Sequence, residues 1–231
     1  MDLFSELQST VYNDLTSGSE STLFPVDTVK LNINRAYRKA GALFRWAETE
    51  DAKKTSTVVG QEYYDYPQTW RPDSVWKLEI DGIDYGDPLL FKDYLLEKEN
   101  DFPSGLEKAW SNQWRRYFVY PIPTANGSYN ISIWGQKTVD KLVNDSDTTI
   151  FSYSMPECND AVVLEAVAIC KAKGDQKNDG EFLSIEAKQI LINAWAKIQQ
   201  EQKKYEPTQP FFEVPDFFAR GGQRTRTGRF D

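Results

Sequence analysis

The stretch from Glu181 to Tyr205, EFLSIEAKQILINAWAKIQQEQKKY, holds no proline and no glycine, and its spacing predicts one long helix. Leu183, Ala187, Leu191, Ala194, Trp195 and Ile198 recur at steps of three and four, which lines them along one helical face. Between them stand Glu186, Lys188, Gln189, Lys197, Gln199 and Gln200, straight-chain residues that lose little rotamer freedom in a helix. Lys203 and Lys204 fall in the last turn, where cations suit the negative end of the helix dipole, and Pro207 stops the helix. An apolar stripe of this kind is a core face and needs other elements to cover it.

The 231 residues suffice for one large domain or two small ones with a real core. With 40% hydrophobic and 14% aromatic residues, the chain has the composition of a folded protein. Its formal charge of -8 opposes general attraction to nucleic acid or anionic membranes. Met1 to Gly18 carries acidic residues and no long apolar run, so no signal sequence is expected. Nothing approaches the run of about 20 apolar residues that crosses a bilayer. A soluble protein made in a cytoplasm is the expectation. Cys158 and Cys170 form no C-x-x-C pair. Cys170 lies in an apolar helical stretch and reads as a buried free thiol. Asn126, Asn130 and Asn144 begin Asn-x-Ser sequons, which mean little without a secretory signal.

Taken in order, Asp2 to Leu15 is a short amphipathic helix with Leu3, Leu7, Val11 and Leu15 at steps of four. A polar loop from Thr16 leads to a second helix near Asp27, read as its N-cap. Val29, Ile33, Tyr37, Ala40 and Phe44 mark its buried face. Arg35, Arg38, Lys39 and Arg45 form a basic edge, either solvated or set against an acidic partner. From Lys53 the period shifts to two, and TSTVVGQEYYDYP reads as two extended runs joined at Gly60-Gln61. VWKLEI and IDY flank Asp81-Gly82, a strong hairpin signal because both turn residues need positive φ. Pro88 to Asn100 is a short helix. QWRRYFVYP and SYNISIWG read as a second hairpin around Pro121 to Gly127, with Tyr129, Ile131 and Ile133 on one face and Asn130, Ser132 and Trp134 on the other. AVVLEAVAICKAK, capped by Asn159 or Asp160, is apolar nearly all round and should pack centrally. The polar turn KGDQKNDG sets it antiparallel to the long helix.

The expected class is α+β: a helical bundle of about four helices, an inserted antiparallel β-rich subdomain and an extended C-terminal arm. Residues 1–52 supply the N-terminal helices, 53–150 the insert, 151–205 the C-terminal helical pair and 206–231 the arm. Pro207, Pro210 and Pro215 keep the arm extended. Phe211, Phe212, Phe217 and Phe218 give it apolar anchors, followed by Arg220, Arg224, Arg226 and Arg229. Phenylalanines so concentrated are a liability if left in water. They should bury on this subunit or on a partner.

Signals for catalysis are few. The chain has no histidine, which removes Ser-His and Cys-His arrangements and most zinc sites. It has no Walker-type or Rossmann glycine loop, and no metal or cofactor is expected. Asp81, Asp84 and Asp87 cluster, but Ile83 and Tyr85 stand where an EF-hand loop needs ligands, so Asp81 reads as a turn residue. Glu48, Glu50 and Asp51 after Trp46 read as a solvated loop. Paired carboxylates for glycoside hydrolysis stay open in any chain this acidic. A rival reading takes Trp70, Trp76, Trp110, Trp114 and Trp134 as platforms for sugars.

With these stretches laid out, the chain resembles the head-to-tail adaptor (head-completion or connector) proteins of tailed bacteriophages. LNINRAYRKAGALFRW is similar to their early helix. YFVYPIPTANGSYNISIWG resembles an inserted β-element found in several of them, and FSYSMPECNDAVVLEAVAIC with the long helix resembles their C-terminal helical pair. The resemblance implies a non-enzymatic structural protein of the virion neck, made in the host bacterial cytoplasm. It implies a homo-oligomeric ring, commonly of about twelve copies, between the portal and the tail or next neck protein. Such a ring lets DNA pass without sequence-specific binding and touches no membrane. It also implies that Phe211, Phe212, Phe217, Phe218, Arg220, Arg224, Arg226 and Arg229 reach along the portal. Other virion roles, as a tail terminator or minor head protein, remain the alternative.

Overall fold

Five α-helices and seven β-strands form among residues 3–16, 24–100, 107–173 and 176–205, those that the computed structural model describes. Their order is α1 (Phe4–Thr16), α2 (Val26–Leu43), a 3-10 turn at Ala47–Thr49, β1 (Glu50–Thr55), β2 (Tyr63–Asp65), β3 (Lys77–Ile80), β4 (Ile83–Asp84), α3 (Phe91–Glu99), β5 (Ala109–Gln113), β6 (Arg116–Tyr120), β7 (Ile131–Gln136), α4 (Glu157–Lys173) and α5 (Lys177–Tyr205). The expected α+β class holds. Helices α1, α2, α4 and α5 share one hydrophobic core, and the strands stand between α2 and α4 in sequence.

Helix α4 lies at the centre of the bundle. Cys158, Ala161, Val162, Val163, Ala166, Val167, Ala168 and Cys170 are all buried, as its all-round apolarity requires. α5, α2 and α1 cover it. Both cysteines are free thiols, and burial pushes Cys158 up to about 12. The stripe on α5 meets α4 as its spacing predicts: Ala187, Leu191 and Ala194 are buried, with Leu183, Trp195 and Ile198 packed at the margin.

Helix boundaries depart from expectation where tertiary contacts override local signals. α2 starts at Val26 behind Pro25, with no side-chain cap, so Asp27 sits in the first turn rather than at the cap. There it still faces the positive end of the dipole. α4 starts at Glu157, and Asn159 is a buried residue inside it whose Oδ1 accepts from Thr149 Oγ1. α5 starts at Lys177, which places Gly180 inside the helix rather than in a turn. A Cβ on Gly180 would stand 2.8 Å from the Ala168 carbonyl oxygen of α4. Gly180→Ala should therefore destabilise the protein by about 1–3 kcal/mol, although the helix-propensity gain alone would favour it by about 1 kcal/mol. Thermal melts decide the sign. A variant melting at or above wild type would mean that α4 and α5 part freely at this point.

The strands form two sheets, ordered β1-β7-β3-β4 and β2-β6-β5. Trp70, Leu78, Trp110, Tyr117, Val119 and Ile131, all fully buried, fill one shared core. The hairpin at Asp81-Gly82 forms as expected, with φ of 54° and 76°. The second expected hairpin does not. β6 and β7 belong to different sheets, so residues 121–130 carry the chain from one sheet to the other. QWRRYFVYP is not one strand either: Gln113 pairs with Arg116, and Trp114-Arg115 make a two-residue turn between β5 and β6. Nor do the runs around Gly60-Gln61 pair: residues 56–61 form a loop after β1, which pairs with β7, and β2 pairs with β6. Tyr129 precedes β7 at φ 50° and is exposed, while Ile131 and Ile133 are buried on the predicted face. Glu50 and Asp51 are the start of β1, not a loop.

The strand layer is tied to the bundle at the end of α2. This helix has no basic residue in its last turn, so its carbonyls need donors from elsewhere. Trp46 Nε1 donates to the Ala40 carbonyl at 2.9 Å. Arg71 donates to the carbonyls of Ala42 at 3.0 Å and Phe44 at 3.2 Å. The same guanidinium donates to Gln136 Oε1, which also accepts from Thr49 Oγ1 at 2.8 Å. Alongside, Arg45 lies 3.7 Å over the Trp76 ring and pairs with Glu50 at 3.1 Å.

Candidate interaction surfaces

At the ends of the sheets far from α2, two loops are joined by a dense set of hydrogen bonds. The Thr57 amide donates to Asn130 Oδ1 at 2.9 Å, and Asn130 Nδ2 donates to Thr57 Oγ1 at 3.0 Å. Val59 N donates to Asn126 Oδ1, Gly60 N to the Pro123 carbonyl and Gly127 N to the Thr57 carbonyl. Asp81 N donates to the Asn130 carbonyl at 2.9 Å and brings the β3–β4 hairpin alongside. The Asn126 and Asn130 side chains accept from backbone amides that no strand partner reaches, and Gly60 takes the positive φ of 74° that this turn needs.

Between the loops and the hairpin opens a cleft of about 360 Å³, lined by Thr57, Ile80, Asp81, Tyr85, Asn130 and the run Pro121 to Gly127. Asp81 is the one charged residue among these lining side chains. Burial pushes the Tyr85 phenol up, and the Asp81 carboxylate adds to the shift. Val58, Val59 and Ile83 are exposed on the adjoining loop and hairpin, and Tyr129 is 71% exposed. Apolar residues grouped around a cleft make this end of the sheets a candidate contact surface.

A second feature stands at the opposite end of β6. Trp114 is 76% exposed at the tip of the β5–β6 turn and adopts φ 59°. Its carbonyl accepts from Asp73 N at 2.8 Å, and the Arg115 guanidinium donates to the carbonyls of Trp70, Pro67 and Gln68. The turn is thus clamped from below while the indole projects. Of the five tryptophans that could form sugar platforms, Trp70 and Trp110 are fully buried. Trp76 and Trp134 are half-buried beneath Arg45 and Lys77. Trp114 alone of the five is exposed.

Phe182 and Ile185 on α5 are exposed at 69% each. Beside them α2, α4 and α5 bound a small-residue groove, rimmed by the Lys39–Glu165 pair at 2.6 Å and by Ser184, which donates to Glu165 at 2.7 Å. Part of the basic edge of α2 is therefore neutralised within the chain, with Lys39 on Glu165 and Arg45 on Glu50. Arg35 and Arg38 are exposed. Phe211, Phe212, Phe217, Phe218, Arg220, Arg224, Arg226 and Arg229 lie outside the described residues. The cleft has no sequence signal because it joins segments far apart in the chain. Trp114 reads from sequence only as one of five sugar platforms, and not as the tip of a turn, because QWRR reads as part of a strand. Among the described residues no group of three His, Cys, Asp or Glu side chains could hold a metal ion. No described helix is long and apolar enough to cross a membrane.

A family model described as SU10 adaptor protein matches residues 3–210. No curated protein matches the chain.

Proposed function

Because the chain belongs to the SU10 adaptor protein family, a family of phage adaptors, we propose that it forms a ring joining the portal of a tailed phage to its tail. The observation that carries this reading is the span of the match, which takes in all four bundle helices and both sheets rather than one motif. The family implies a structural component of the virion that works by contact. On this reading the arm, 206–231, docks on the portal. Phe211, Phe212, Phe217 and Phe218 fill apolar pockets there, and Arg220, Arg224, Arg226 and Arg229 pair with carboxylates, for which the planar guanidinium suits better than lysine. The net charge of -8 suits a channel wall that passes DNA without holding it.

Purified protein mixed with the portal of the same virion should give, in negative-stain images, a second ring seated on the portal and sharing its axis. A monomer that ignores the portal at micromolar concentration overturns the reading.

A further inference from the structure

We infer that neighbouring copies in the ring join through Trp114 of one copy seated in the cleft of the next, between the Pro121–Gly127 loop and the β3–β4 hairpin. The inference rests on the ring reading above and names the contact that would close it.

Trp114 occupies a position that a fold would not choose for its own sake. Two-residue turns with positive φ at the first central position take glycine, asparagine or aspartate, as Asp81 does at φ 54°, and a bulky residue there is uncommon. Burial does not offset this, since the indole is 76% exposed. A large aromatic held out on a rigid turn, with its backbone fixed by Asp73 and Arg115, has the form of a binding anchor. The cleft has the complementary form. Pro121, Ile122, Pro123 and Ala125 offer flat apolar contact, and Asp81 offers an acceptor for the indole N–H.

The two features cannot meet within one chain. They sit at opposite ends of β6, whose five residues separate them by about 15 Å at the usual rise per residue. Charge also matches: Arg116 is paired with Asp65 in its own chain, but Arg115, next to Trp114, bonds to neutral carbonyls and keeps its charge, whereas the cleft lining holds Asp81 and no lysine or arginine. A knob and a hole on different surfaces of the same chain make a heterologous contact, and a heterologous contact that closes makes a ring.

Two variants test the pairing. Trp114→Gly removes the indole and relieves the positive φ, so its melting temperature should equal or exceed wild type. Its ring assembly on the portal should weaken by at least about thirtyfold, as for a binding hot spot. Ala125→Arg obstructs the cleft and leaves Trp114 intact. Each alone should fail to form rings. Mixed, they should give one-to-one heterodimers by native mass spectrometry, because each supplies the half that the other lacks, and these should not grow further. Rings from Trp114→Gly at wild-type concentrations overturn this contact and leave the ring reading standing. A lower melting temperature for Trp114→Gly makes the indole part of the fold and overturns it as well. So does a mixture that stays monomeric. If wild-type protein never forms rings on the portal, the ring reading fails and this contact with it.

Discussion

Trp46→Ala should lower stability by about 3–5 kcal/mol, the range for deleting a buried tryptophan side chain. Trp46 is fully buried where α2, α5 and the strand layer meet. Its ring packs on Phe44 at 5.5 Å, Phe151 at 5.1 Å and Trp195 at 5.5 Å between centroids, each edge to face. Its indole N–H serves the Ala40 carbonyl near the end of α2. Alanine removes the packing and leaves that carbonyl without its donor. For a chain of this length, the loss corresponds to a fall of roughly 6–20 °C in melting temperature. Trp46→Phe separates the two effects. It keeps most of the aromatic body and removes the N–H, so it should cost about 1–3 kcal/mol. An alanine variant melting within a degree or two of wild type would remove Trp46 from the centre of the core.

Truncation after Tyr205 should leave the cooperative melt in place and abolish portal binding. Among the described residues, the bundle core and the core between the sheets are built from side chains that end before position 200, and both are expected to form without 206–231. Burying a phenylalanine side chain contributes about 1.5–3 kcal/mol, and each 1.4 kcal/mol is about tenfold in Kd. Loss of even two of the arm's phenylalanine anchors should thus weaken portal binding by about a hundredfold or more. Differential scanning calorimetry and co-sedimentation with the portal ring read the two properties separately. A truncated protein that aggregates or loses its transition would assign the arm to its own core, and the docking role would fall. Core and arm are expected to separate on mutation: Trp46 and Gly180 govern the melt, Phe211 onward governs assembly.

Much of the helical part was legible in the sequence because its signals are local. The spacing of Leu183 to Ile198 found the α5 face, and the all-round apolarity of AVVLEAVAICKAK found the central helix. Val29, Ile33, Tyr37 and Ala40 found the buried side of α2. Asp81-Gly82 found the one hairpin whose turn chemistry is explicit. The failures share a cause. Gly180 reads as a turn residue until Ala168 of α4 stands against it. Trp114-Arg115 holds no turn former, and the clamp on it comes from Asp73 and from carbonyls some 45 residues away.

The sequence by itself determined which segments are helices, that β3, β4 and β7 alternate as strands, and that one apolar stripe needed a central partner. These follow from periodicity within a few residues, where backbone geometry alone dictates which side chains share a face. Only the tertiary structure decided that β6 and β7 part into two sheets, that Arg71 closes the end of α2, and that Thr57 and Asn130 shape a cleft opposite Trp114. Each of those depends on hydrogen-bond partners far apart in the chain. A carbonyl or amide carries no local mark of the distant group that will satisfy it.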